Sequence, residues 1–260
     1  MTSPKDKLIL ITGGSSGIGK AAAKELHKQG ARLILQARNL EKLQSAAAEI
    51  SPDGERISTY ATDLSSQEAV EAAANEILAR EGLPDVVVNS AGAGEWLSLK
   101  EASLGHYKET MDSPYLATAL TCKVFYDKMQ ERGIGHFIII NSAAAYFSFP
   151  GATGYTPGRW AMLGLAKSLQ ADLHGSGFRV STIVLGKVNS PYFTNNPGSE
   201  ERIPKIATLL NPTLSEAQAG RLIARNVKSR KATVIKPTTM AFFVFLNRLF
   251  PGIFRWLMRL

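Results

Sequence analysis

Short apolar runs alternate along this chain with longer stretches of helical spacing. Leu8–Thr12, Ala31–Gln36, Asp85–Asn89 (with Val86-Val87-Val88), His136–Asn141 (with Phe137-Ile138-Ile139-Ile140) and Arg179–Leu185 read as strands, and Arg56–Tyr60 as a weaker one. Between them Ile18–Lys28, Leu40–Ile50, Ser66–Arg80, a long stretch Leu104–Arg132 and Tyr155–Leu173 read as helices. Strands that are apolar at every position belong in a parallel sheet covered on both faces. Strands joined by crossover helices close as right-handed βαβ units. The expected fold is therefore α/β, a Rossmann-like doubly wound parallel sheet with helices on both faces. Residues 186–212 show no clear period and carry Pro191, Pro197, Pro204 and Pro212, which predicts a long loop with at most one short helix. Loops of that length in compact domains are often active-site lids.

Composition narrows the class. The chain has 260 residues, 45% hydrophobic and 20% charged, which excludes a disordered protein and is enough for one large domain. We expect residues 1–237 to form a single cofactor-binding catalytic domain and 238–260 a C-terminal hydrophobic, amphipathic segment. The lone Cys122 rules out an intrachain disulfide and reads as a small buried filler. His27, His106, His136 and His174 show no metal spacing, and no metal is expected. The apolar run Leu8–Ile11 is too short for a signal-peptide core, so a cytoplasmic protein is expected, either free or peripheral on the cytosolic face of a membrane. The net charge of +8 admits nucleic acid, an anionic membrane or a phosphate-bearing cofactor as partner. No nucleic-acid module or concentrated basic run is present, so nucleic acid is not expected.

Candidate chemistry begins at the first strand–helix turn, Thr12-Gly13-Gly14-Ser15-Ser16-Gly17-Ile18-Gly19. A dinucleotide pyrophosphate needs helix N-terminal amides and a backbone it can approach closely, and Gly13, Gly17 and Gly19 would permit that approach. A purely structural turn is the plainer alternative. The second strand ends Gln36-Ala37-Arg38, without the carboxylate that usually receives the ribose 2′-hydroxyl of NAD. A guanidinium pairs with a 2′-phosphate, so Arg38 favours NADP(H), unless it is only a surface arginine.

Several motifs in order make the chain resemble the short-chain dehydrogenase/reductase family from about Lys5 to Pro237. They are the Thr-Gly-x-x-x-Gly-x-Gly pattern at 12–19, Asp63-Leu64, Asn89-Ser90-Ala91-Gly92, Ser142, and Tyr155 thirteen residues later. The resemblance implies hydride transfer between NADP(H) and a carbonyl or alcohol. It also implies cofactor contacts from Gly13, Ser15, Ser16, Gly17, Ile18, Gly19, Arg38, Asp63, Leu64, Asn89, Ala91, Gly92, Gly186, Val188 and Ser190, together with Tyr155 and Arg159. In that scheme Ser142 binds the carbonyl oxygen and Tyr155 supplies its proton. A free phenol titrates near 10 and needs a cation beside it to work near neutral pH. The family places a lysine for this purpose four residues after the tyrosine.

Here that position is Arg159. It keeps the charge on the same helix face but cannot give up a proton. Three readings stand open: arginine serves, the site binds cofactor but is catalytically weak, or another residue serves. A second departure falls within the long helix, where Met111-Asp112-Ser113-Pro114-Tyr115 covers the family's water-holding asparagine and puts Pro114 on it. Proline breaks the helix and frees the carbonyl one turn earlier. Either that carbonyl or Ser113 is a candidate to hold the relay water, and a kink with no such role is the alternative. The family's Pro-Gly loop reads Leu185-Gly186-Lys187-Val188-Asn189-Ser190, with Gly186 and Val188 retained and Ser190 replacing threonine.

Residues 238–260 mix aromatics and leucines with Arg248, Arg255 and Arg259. The run Met240–Leu246 is far below the ~20 residues a membrane span needs. The segment reads as a helix lying on a membrane surface, as a cover over the substrate mouth, or as a packing surface between copies of the chain. A lipophilic carbonyl, similar to the 3-ketosphinganine, retinoid or steroid substrates of family members with such tails, and assembly into a homo-oligomer are expected. A non-catalytic NADP(H)-binding scaffold is the competing function.

Overall fold

The computed structural model describes residues 3–92 and 94–258. The elements follow one another as β1 (Leu8–Thr12), α1 (Gly17–Lys28), β2 (Arg32–Ala37), α2 (Leu40–Ile50), β3 (Ile57–Ala61), α3 (Gln67–Arg80), β4 (Val86–Asn89), α4 (Leu104–Met111), α5 (Ala117–Met129), β5 (Ile134–Ser142), α6 (Tyr155–Asp172) and β6 (Gly177–Leu185). Beyond them lie β7 (Val188–Asn189), α7 (Tyr192–Asn195), α8 (Lys205–Leu210), β8 (Leu214–Ser215), α9 (Glu216–Ser229), β9 (Thr233–Lys236), α10 (Thr238–Leu249) and α11 (Pro251–Leu257). The seven long strands form one sheet, ordered β3-β2-β1-β4-β5-β6-β9, with every pairing parallel. This is the doubly wound α/β fold that the apolar runs predict.

Burial explains the strand sequences. Ile9 and Ile11 face one layer, with Ala22, Leu26, Ala219 and Ile223 of α1 and α9, while Leu10 and Val87 face the other, with Phe125, Met129 and Met162 of α5 and α6. Both faces are covered along the middle of the sheet, and polar strand residues that reach water, such as Arg32 and Arg179, sit near strand ends. α9 and β9 are not among the elements expected from the sequence. The first begins with a capping box, in which Ser215 Oγ accepts from Gln218 N–H and the Gln218 side chain accepts from Ser215 N–H.

Three segments take a more definite form than the sequence pattern gives them. The long helix of 104–132 is broken: Asp112–Leu116 forms a π-type turn with Ser113 at φ −129°, ψ 104°, because Pro114 has no amide to continue the ladder. The segment 186–212 holds two short helices, and Val188–Asn189 pairs in parallel with Leu214–Ser215 immediately after it. In the tail, Met240, Val244 and Phe254 bury against Phe147 and Val184 of the main body. Arg259, one of the tail's three arginines, lies outside the described residues.

One buried histidine ties this core to pH. His136 in β5 is 2% exposed, and its Nε2 lies 2.8 Å from Ser181 Oγ. Burial, with Arg230 and Arg179 nearby, pulls its pKa from 6.5 down to about 3. The unfolded chain therefore takes up a proton that the folded chain refuses. This contribution to stability is complete above pH 6.5 and is lost as pH falls towards 3. Well below 6.5 the slope from this group is roughly 1.4 kcal/mol per pH unit. Thermal unfolding of a His136→Gln variant at pH 7 and pH 5 is expected to show a smaller acid-induced drop in Tm than the parent. Equal drops would remove His136 as a source of acid lability.

Candidate functional site

Parallel strands all point their carboxyl ends at one edge of the sheet, so the loops leaving those ends stand in a row there. In sheet order this places Asp63-Leu64 after β3, Arg38 after β2, the glycine turn after β1, Ser90-Ala91-Gly92 after β4, Ser142 at the end of β5 and Gly186 after β6. A cavity of about 600 Å³ runs along this edge. Every residue expected at the site lines it except Asn89.

Asn89 is corrected to a place behind the cavity wall. It is 1% exposed, and its amide donates to Cys122 Sγ at 3.4 Å, so it braces β4 on α5. Burial pushes the Cys122 thiol up to about 12, in keeping with a filler rather than a nucleophile.

At the glycine turn, Gly13 has φ +68°, and a Cβ there would lie 2.9 Å from the Ala91 backbone, so the turn closes on the loop after β4. Thr12 Oγ1 accepts from the amides of Ser90 and Ala91 at 3.1 Å and fixes that approach. Gly19 serves the turn itself, since a Cβ would meet the Gly13 carbonyl at 2.3 Å. Ser16, at the N-cap of α1, makes no side-chain cap bond, which leaves the first-turn amides free for an anion.

The β2 end carries two cations. Arg38 and Lys42 both line the cavity with Asn39, whose side chain accepts from the Lys42 amide and starts α2. Opposite them, Asp63 accepts from the Ser65 hydroxyl at 2.7 Å and its amide at 3.0 Å. Those bonds, and to a lesser extent Arg38, hold the Asp63 carboxyl below its usual range. Sequence reasoning misses Lys42, although its place one turn after Arg38 is an available signal.

Ser142, Tyr155 and Arg159 meet at the β5 end. Asn141, also missed by sequence reasoning, clamps them: its amide donates to the Arg159 carbonyl at 3.1 Å, and its Oδ1 accepts from Ser142 N–H at 2.8 Å. Ser142 Oγ accepts from Ala144 N–H at 3.2 Å, which leaves the serine's own hydrogen for another acceptor. Tyr155 and Arg159 are 5% and 7% exposed, and the guanidinium carbon lies 4.9 Å from the Tyr155 ring centroid. No carboxylate pairs with Arg159 among the described residues: Nη1 reaches Met162 Sδ at 3.6 Å and the buried Nε has no acceptor. A Cβ on Gly92 would stand 3.1 Å from Arg159 Nη2 and 2.9 Å from Pro114 Cβ, so glycine is what lets the loop after β4 lie against the guanidinium.

The freed Thr110 carbonyl packs on α6, where a Cβ on Gly158 would approach it to 2.4 Å, whereas Ser113 lines the cavity. Gly186, Val188 and Ser190 also line it, and Gly186 N–H donates to the Lys236 carbonyl at 2.8 Å.

The other end of the cavity is apolar. Trp96 stacks on Phe149 at 5.2 Å and lies 5.5 Å from the Tyr155 ring, with Tyr192 5.9 Å from Tyr155 on another side. Tyr192 donates to the Gly94 carbonyl, and burial together with Tyr155 pushes its phenol up, so it stays protonated. Met240, Phe243, Phe254, Leu257 and Met258 from α10 and beyond complete this wall.

This geometry can be set beside known proteins. The short chain dehydrogenase family profile matches residues 7–201. An uncharacterised oxidoreductase of Mycobacterium bovis is 30% identical over 238 residues, covering 90% of this chain and 67% of that one. Human estradiol 17-beta-dehydrogenase 11 is 27% identical over 248 residues, covering 94% and 79%. Among solved structures, an alcohol dehydrogenase from the archaeon Thermococcus sibiricus complexed with 5-hydroxy-NADP superposes with a TM-score of 0.77 at 26% identity, covering 89% and 96%. With the profile spanning most of its length, the chain belongs to the short-chain dehydrogenase/reductase family of oxidoreductases.

Proposed function

We propose that this chain transfers hydride between NADP(H) and a lipophilic carbonyl or alcohol, with Ser142, Tyr155 and Arg159 as its catalytic residues. The observation that carries this reading is the buried, acid-free guanidinium of Arg159 beside Tyr155, in a cavity with a cationic end and an apolar end. The residues present fit a dinucleotide. The α1 N-terminus has no side-chain cap, and the buried Nε of Arg159 has no acceptor.

When bound, the reduced nicotinamide supplies the hydride that a carbonyl carbon receives. The chain's own groups do the rest. Arg38 and Lys42 pair with a 2′-phosphate, and the α1 N-terminus takes the pyrophosphate. Arg159 takes the hydroxyls of the nicotinamide-side ribose and places a fixed positive charge beside Tyr155. Ser142 donates to the carbonyl oxygen, Tyr155 gives it the proton, and Ser113 is placed to hold a water on the return path of that proton. Trp96, Phe149 and Phe254 surround an apolar substrate chain and exclude water. A steroid-like or long-chain ketone fits this wall, and the name of the human relative, estradiol 17-beta-dehydrogenase 11, points the same way.

One observation favours a nucleotide-binding scaffold instead: the guanidinium lies over the face of the Tyr155 ring. An assay at the NADPH absorbance with a panel of long-chain and steroid ketones separates the readings. NADPH oxidation is expected; tight NADPH binding with no oxidation by any ketone would leave the scaffold.

The Tyr155→Phe variant should lose about 10²- to 10⁴-fold in kcat, the range for a removed general acid, while a thermal-shift titration shows NADPH binding intact. Turnover retained in that variant would take Tyr155 out of its role. Arg159→Lys should keep or raise activity, and complete loss would show that the guanidinium's shape is required. Arg38→Ala with Lys42→Ala should weaken NADPH by roughly tenfold or more, as expected for lost charge-assisted bonds, and leave NADH unchanged. Equal weakening of both cofactors would place the two cations elsewhere than a 2′-phosphate.

A further inference from the structure

The tail presents two different faces. Its inner side chains, Met240, Phe243, Phe254 and Met258, border the cavity. Its outer side chains, Phe242, Phe245, Leu249, Phe250, Ile253 and Trp256, are 52–59% exposed. Of the eleven large hydrophobic side chains exposed among the described residues, these six fall within fifteen consecutive positions. So dense an apolar patch on a protein surface marks a contact site. α10 follows β9, the edge strand of the sheet.

Charge identifies the occupant. Residues 217–260 contain nine Lys and Arg and no Asp or Glu, whereas residues 1–216 contain 21 and 22. The whole positive excess of the protein therefore belongs to its last sixth. Arg248 and Arg255 are exposed within the apolar patch itself. A two-fold pairing of this face with itself would bring four arginines into one interface with no Asp or Glu in the segment to answer them. An anionic lipid surface meets both requirements, with acyl chains for the rings and headgroups for the guanidinia. Spanning is not available. At 1.5 Å per residue α10 is about 18 Å long and α11 about 10 Å, against a hydrocarbon core of about 30 Å, and no described helix is long and apolar enough to cross.

We propose that α10 and α11 form a two-faced gate, seated by its outer side chains on an anionic bilayer while its inner side chains wall the substrate chamber, so that a lipid carbonyl passes from the membrane directly into the site. The claim rests on the lipophilic-substrate reading above and adds where that substrate comes from.

The test uses the full chain and two vesicle types, phosphatidylcholine alone and phosphatidylcholine with phosphatidylserine, in a flotation assay at low and high salt. The protein should float with the anionic vesicles at least about tenfold more than with the neutral ones, and salt should weaken it, as expected for two surface arginines. A Phe245→Glu/Trp256→Glu variant, altered only on the outer face, should stay unbound. It should keep its NADPH thermal shift and its turnover of a short water-soluble ketone, and show a KM for a vesicle-borne ketone raised about tenfold or more. Failure of the parent to float, or flotation of the variant at the parent's level, would overturn the proposal. So would a parent dimer that light scattering shows dissociating in the variant without vesicle binding, because a second copy then covers the face. These outcomes stand apart from the enzymatic reading: turnover of the short ketone without flotation sinks only the membrane claim, while flotation without turnover of any ketone sinks the reductase and the substrate passage with it and leaves only the membrane seat.

Discussion

A guanidinium buried beside a phenol, with no acid among the described residues to balance it, is the constraint around which this site is arranged. Desolvating a charge costs several kcal/mol unless partners repay it, and Arg159 has only a thioether and an aromatic face. The fold tolerates this because the charge borders a cavity rather than a sealed core, where hydroxyls of a bound ligand can complete it. Neighbouring residues make room for the group. Gly92 withholds a side chain from it, Pro114 packs on that glycine, and Asn141 ties its backbone to Ser142. A lysine at this position would present a compact ammonium on a thin stem; the planar fork fills more of the space between α6 and the loop after β4.

The same cavity joins two chemistries that demand opposite surroundings. Nucleotide phosphates want amides and cations, which the strand ends and the α1 and α2 N-termini provide. A hydrophobic substrate wants rings and thioethers, which come from outside the sheet: Trp96 in the loop after β4, Phe149 after β5, and the last two helices. Ser142 and Tyr155 stand between these regions.

Much of the framework is legible from residue pattern alone. Val86-Val87-Val88 and Phe137–Ile140 have no polar position and so can only be strands covered on both faces. Elements near the end of the chain are less legible. Thr233–Lys236 is a four-residue edge strand with polar ends, and α9 becomes recognisable as buried only once its small face, Ala219 and Gly220, is seen against α1, where a Cβ on Gly220 would meet the Ala21 carbonyl at 2.5 Å. Pro114 announces a break but not the direction in which Thr110 turns its carbonyl. Asn89 belongs to a motif yet points into the body of the protein, because motif spacing specifies backbone position and not which way a side chain leaves a strand. Tyr192 could not be placed beside Tyr155 from sequence, since thirty-seven residues and three elements separate them.

The central claim is that Arg159 supplies the fixed cation at the nicotinamide end of the site. A crystal structure with NADPH and an unreactive substrate analogue tests it most directly. The account predicts Arg159 nitrogens at about 2.7–3.2 Å from ribose hydroxyl oxygens, and the Tyr155 and Ser142 oxygens at similar distance from the analogue's carbonyl oxygen. A guanidinium swung away to pair with Glu109 or Asp112, with the Tyr155 oxygen remote from the nicotinamide ring, would contradict it.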